Sequence, residues 1–94
     1  MEILPIFAAN VRAYSDAWRG RGVSFTELAK RCNMAKSHLS DMRAGKVPSP
    51  SVWTALRLAE GMGVTVDDLV TDRPTRRQAV CQNIFNGVNV RIGQ

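Results

Sequence analysis

The apolar positions of the chain fall at helical spacing in successive stretches, each closed by a turn signal. Between residues 4 and 18, Phe7, Val11, Tyr14 and Trp18 recur at i, i+4, i+7 and i+11, one stripe of a 3.6-period helix, while Arg12, Asp16 and Arg19 fall off it. Pro5 suits the first turn, where its missing N–H costs nothing, and Gly20-Arg-Gly22 breaks the helix. Ser24-Phe-Thr-Glu27 reads as a capping box: Ser24 accepts from the Glu27 amide while Glu27 reaches back to the Ser24 amide. Val23 and Leu28 supply the matching hydrophobic staple. This second helix runs to about Arg31, with Leu28, Ala29 and Cys32 facing inward.

Asn33 tolerates the left-handed conformation and turns the chain into a third helix, about Lys36 to Ala44. Leu39 and Met42 form its apolar face, and Gly45 is its C-cap glycine. After the loop Lys46-Val-Pro-Ser-Pro50, a fourth helix runs from about Ser51 to Met62, with Val52, Leu56, Ala59 and Met62 on one stripe and Gly63 as its end. Thr65-Val-Asp-Asp68 is a second capping box, stapled by Val64 and Leu69, and starts a short fifth helix, about Val66 to Val70.

The remainder admits two readings after a polar hinge at Asp72 to Arg77. Val80, Cys81, Ile84 and Phe85 fit one helical face, with Thr75 as cap and Gly87 as stop. Alternatively, Asn86-Gly87 is a two-residue hairpin turn that sets Phe85 opposite Val88 and Cys81 opposite Ile92. Beyond Gly87, the alternation of Val88, Val90 and Ile92 with Asn89 and Arg91 predicts an extended strand in either case.

Ninety-four residues give room for one compact core. The formal charge of +5 favours a polyanionic partner. It is unevenly placed: residues 1–72 carry nine Lys/Arg against eight Asp/Glu, whereas residues 73–94 carry Arg73, Arg76, Arg77 and Arg91 with no acid. Cys32, Cys81 and the lone His38 have no metal-ligand spacing, so neither metal nor cofactor is expected. No apolar run is long enough to span a bilayer, no signal-peptide order opens the chain, and the thiols read as free, which fits a cytoplasmic protein. Neither a nucleophile–base pair nor a Gly-rich phosphate loop is present, which argues against an enzyme with catalytic residues. No aromatic stacking platform suggests RNA.

The segment Phe25 to Ala44 is two short helices joined by a tight turn. Small Ala29 lets the two helices approach closely, and Leu39 with Met42 anchors the second. The opposite face of that second helix is then left to protrude, as a major-groove reader requires.

Ser24-Phe-Thr-Glu-Leu-Ala-Lys-Arg-Cys-Asn-Met-Ala-Lys-Ser-His-Leu-Ser-Asp-Met-Arg-Ala-Gly-Lys46 resembles the Cro and phage-repressor (XRE-type) helix-turn-helix family, as does Leu56-Arg-Leu-Ala-Glu-Gly-Met-Gly-Val-Thr-Val-Asp-Asp-Leu69. The resemblance implies an all-α fold: a five-helix, lambda-repressor-like DNA-binding domain over residues 1–72. Residues 73–94 are then a short basic C-terminal tail, helix and/or β-strand. It further implies a homodimeric repressor of transcription, bacterial or phage-encoded and acting at the nucleoid, whose partner is double-stranded DNA.

Carried over residue by residue, the resemblance places Lys36, Ser37, His38, Ser40 and Asp41 on or near the exposed start of the groove-reading third helix. Lys36 is the candidate for guanine O6 and N7, and Asp41 for cytosine N4 or for orienting a nearby cation. Arg43 and Lys46 suit phosphates, and Thr26, Arg76 and Arg77 are further phosphate candidates. Trp53, beside the main stripe of the fourth helix, is read first as core and otherwise as a dimer contact, together with Phe85, Val88, Val90 and Ile92. The family also includes antitoxins, and on that alternative the tail would hold a partner protein. Three departures stand out. Phe25 replaces the usual Gln, Ala35 replaces a capping Ser, Thr or Asn, and the loop after Gly45 is one residue longer.

Overall fold

The computed structural model describes residues 3–47 and 50–87. Six helices follow one another: α1 (Ile3–Gly20), α2 (Phe25–Arg31), α3 (Lys36–Arg43), α4 (Val52–Met62), α5 (Val66–Val70) and α6 (Pro74–Phe85). The fold is all-α, with no strand among the described residues.

The α1 stripe is the spine of the core. Phe7, Val11, Tyr14 and Trp18 are all buried, among Leu28, Leu39, Leu58, Met62, Leu69 and Val80. Two of these aromatics carry a polar tip that must be paired when buried. Tyr14 Oη donates to the Asp68 carbonyl at 3.0 Å and Trp18 Nε1 to the Met62 carbonyl at 2.9 Å. The stripe therefore also fixes where α4 ends and α5 lies. Asn10 sits fully buried beside it. Its Nδ2 donates to the Leu69 and Thr71 carbonyls at 2.8 and 3.0 Å, and its Oδ1 accepts from Arg77 Nη1 at 3.0 Å.

The local signals act largely as their chemistry dictates. Ser24 accepts from the Glu27 amide at 3.2 Å, although the returning Glu27 bond does not form. At α5 the box closes both ways: Thr65 Oγ1 accepts from the Asp68 amide at 3.0 Å, and Asp68 Oδ2 from the Thr65 amide at 3.1 Å. Asn33 takes φ 55°, and α2 ends in a Schellman turn, with the Met34 amide on the Ala29 carbonyl and the Asn33 amide on that of Lys30.

Two further expectations need correction. In α4 the inward stripe is Ala55, Leu58, Ala59 and Met62, and Val52 stands 72% exposed. Ser51 is the N-cap, bonded to the Thr54 amide. Val52 therefore lies in the first turn, on nearly the same side as Ala59 but at the helix end, where it is left exposed. Trp53 is likewise 72% exposed, so the core reading for it fails.

The second correction is the tail. The hinge shrinks to Asp72 and Arg73, because α6 begins at Pro74. The cap position is Arg73 rather than Thr75, with no side-chain capping hydrogen bond. A hairpin pairing through Cys81 and Phe85 is excluded, since both are helical. Val80 and Ile84, one helical turn apart, enter the core against α1, and Gly87, at φ 79°, stops the helix. Phe85, one position further round, is 55% exposed. The strand read over residues 88–92 lies outside the described residues.

Candidate nucleic-acid interface

α3 divides cleanly into two faces. Leu39 and Met42 are buried, whereas Lys36, Ser37, Ser40 and Asp41 are exposed and His38 is half-buried. The division follows from the helical period: Lys36 and Ser40 are one turn apart, as are Ser37 and Asp41, opposite the Leu39–Met42 pair. Ala35 occupies the N-cap with no side-chain hydrogen bond, and no acid lies in the first turn. The positive end of the helix therefore stays open beside Lys36, which favours an anion.

The far end of α3 is held differently. Gly45 at φ 73° forms a Schellman turn, with the Lys46 amide on the Asp41 carbonyl at 2.9 Å and the Gly45 amide on that of Met42 at 3.2 Å. This turn leaves the Lys46 side chain exposed just beyond the helix.

Arg43 is not free in the way Lys36 is. Its Nε donates to Ser15 Oγ at 2.9 Å, and its Nη2 pairs with the Asp16 carboxylate. Arg12 Nη2 donates to the Arg43 carbonyl at 2.9 Å, so α1 grips both the side chain and the backbone of this residue. The Arg43 guanidinium also lies over the Phe25 ring, 4.5 Å from its centroid, and that of Arg19 lies 5.0 Å from the same centroid. These are cation–π distances.

The remaining candidates are dispersed. Thr26 is exposed in the first turn of α2. Arg76 donates through Nε and Nη2 to Asp68 at 2.9 and 3.3 Å, and Arg77 reaches Asn10 and Asp72. The carboxylates missing from the tail sequence are thus supplied by α5 and the hinge. Burial pushes the Asp68 carboxyl up, but the bonds from Arg76 and Thr65 outweigh it and hold the group below the usual carboxylate range. Among the described residues, no group of three or more His, Cys, Asp or Glu side chains is gathered in a way that could hold a metal ion. No helix among them is long and apolar enough to cross a membrane.

The residues that sequence reasoning passed over are Arg12, Ser15, Asp16 and Arg19. Their signal was present: Arg12, Asp16 and Arg19 fall at i, i+4 and i+7, a second, polar stripe on α1. Residues 9–71 match the family model described as a helix-turn-helix domain. No curated protein and no solved structure matches the chain.

Proposed function

The chain belongs to the helix-turn-helix domain family, and from that premise we propose that it is a sequence-specific, DNA-binding regulator of transcription that reads an operator through α3. The carrying observation is the two-faced α3, buried through Leu39 and Met42 and exposed through Lys36, Ser37 and Ser40. Lys36 contacts guanine, Ser37 and Ser40 reach base edges or phosphate, and Asp41 tempers Lys36 or accepts from cytosine. His38 supports the register from its half-buried position, and Lys46 meets a phosphate beyond the helix end. Arg43, gripped by Ser15 and Asp16, positions the end of α3 beside the phosphate backbone.

One eight-residue helix covers few base pairs, so the regulator works as a homodimer whose two α3 helices enter successive major grooves about 34 Å apart. Trp53 and Val52 on α4, with Phe85 at the end of α6, offer exposed apolar surface for the contact between copies. Repression by occlusion of polymerase is the simplest mode for such a chain, acting on bacterial or phage DNA in the cytoplasm.

The test is selection from a pool of random-sequence duplexes. Enrichment of two related half-sites about one helical turn apart, lost in the Lys36→Ala/Ser37→Ala variant, supports the reading. Failure of the folded chain to enrich any sequence overturns it.

A further inference from the structure

We propose that Arg19 is a phosphate-contact residue for the DNA backbone, and that Phe25 is the positioning residue that holds it there. The inference rests on the DNA-binding reading above but concerns a part of the molecule outside α3.

Phe25 opens α2 and is only half-buried. A phenyl side chain has no group to offer a phosphate oxygen. What it offers is a ring face, over which the guanidinium groups of Arg19 and Arg43 both lie, 5.0 and 4.5 Å from the centroid. The two cations differ in their other neighbours. Arg43 is paired with Asp16 and bonded to Ser15. Arg19 is exposed at the last turn of α1, with no carboxylate partner and no side-chain hydrogen bond among the described residues. Its five N–H donors are therefore available, while the stack limits the conformations of a long side chain that would otherwise be costly to order.

The placement fits a backbone contact. Lys36, Ser40 and Arg43 follow one another at i, i+4 and i+7 along α3. Phe25 lies beside Arg43 and Arg19 beside Phe25, so two contacts link the residue at the end of that stripe to the end of α1. A planar guanidinium at the margin of a groove-reading surface suits the phosphodiester, which it can meet with two parallel N–H···O bonds. The contact carries no sequence information; it fixes the docking of the domain and adds to the salt dependence.

The experiment measures affinity for a fluorescent, mixed-sequence 30-base-pair duplex across a series of salt concentrations, using the full chain. Each phosphate contact contributes about 0.9 to the slope of log affinity against log salt. Arg19→Ala is expected to flatten the slope by roughly that amount. Phe25→Leu should flatten it too, and Phe25→Tyr, which keeps the ring, should restore it. Arg57→Ala, an exposed arginine on α4, serves as the comparison and should leave the slope unchanged. A folded Arg19→Ala variant with the wild-type slope overturns the proposal while leaving DNA binding intact. Absence of any salt-dependent binding by the wild-type chain removes the DNA reading and this contact together. Salt-dependent binding without selection of a sequence removes only operator specificity.

Discussion

Gly61 of α4 lies directly against Cys32 at the end of α2: a Cβ on Gly61 would stand 2.4 Å from the Cys32 Sγ and 2.6 and 2.7 Å from its Cα and amide nitrogen. Two of those three atoms are backbone, so a rotamer change cannot relieve the overlap. Burial also raises the Cys32 thiol to about 11, and the residue acts as a small apolar filler in that contact. Gly61→Ala should gain about 1 kcal/mol of helix propensity and still be net destabilising by about 1–3 kcal/mol. Denaturant unfolding checks this. Adding Cys32→Ala should not restore stability, because the backbone overlap remains; full recovery in the double variant would show that the sulfur alone sets the spacing.

The Asp68–Arg76 pair makes stability depend on acid. The carboxyl is 4% exposed and its folded pKa lies below the unfolded value near 3.9. Its contribution is therefore complete above about pH 4 and is lost as pH falls through the lower folded value. Thermal melts between pH 2 and 7 should show this loss in the wild type and a shallower one in Asp68→Asn. At neutral pH Arg76→Ala should cost about 1–3 kcal/mol, because a buried carboxylate loses its charged donor. If Arg76→Ala weakens DNA binding with unchanged stability, the side chain serves the ligand rather than the fold.

Ala35 leaves α3 without a side-chain cap although its backbone, at φ −70° and ψ 147°, has the extended geometry of an N-cap. Ala35→Ser should add about 1 kcal/mol, a rise in Tm of roughly 4–8 °C for a domain of this size. A Tm no higher than that of the wild type would mean that the new hydroxyl does not reach the first-turn amides.

Trp53 projects from α4 and is largely exposed. Trp53→Asp should leave folding stability within about 0.5 kcal/mol, as for other surface changes, and shift the protein toward monomer in sedimentation. An unchanged dimer in that variant would move the contact between copies away from α4.

The extent to which sequence pattern foretold this molecule depends on how local each determinant is. The inward pair Leu39 and Met42 and the outward Lys36, Ser37 and Ser40 follow from helical period alone. Asn33, Gly45 and the Thr65–Asp68 box need only their immediate neighbours. The register of α4 is not legible locally because Val52, Ala55, Leu56, Leu58 and Ala59 make that helix apolar on several sides, and only packing against α1, α2 and α5 selects among them. In the tail, Asn86-Gly87 offered a local turn signal that fits a helix stop as well as a hairpin. What decided the matter was distant: Val80 and Ile84 against α1, and Arg77 on Asn10, 67 positions earlier in the chain. The role of Arg43 was hidden for the same reason, since its partners Ser15 and Asp16 lie 28 and 27 positions away.

The docking of α6 on α1 has a consequence for the order of folding. Asn10 and Tyr14 meet partners that are translated some 54 to 67 residues after them. A nascent chain that has already made α2 to α4 can form the local turns and cover part of the α1 spine, but it cannot yet cover the side of α1 that packs on α5 and α6. That side stays open until α5 and α6 have left the ribosome, and such exposed apolar surface favours aggregation in the interval.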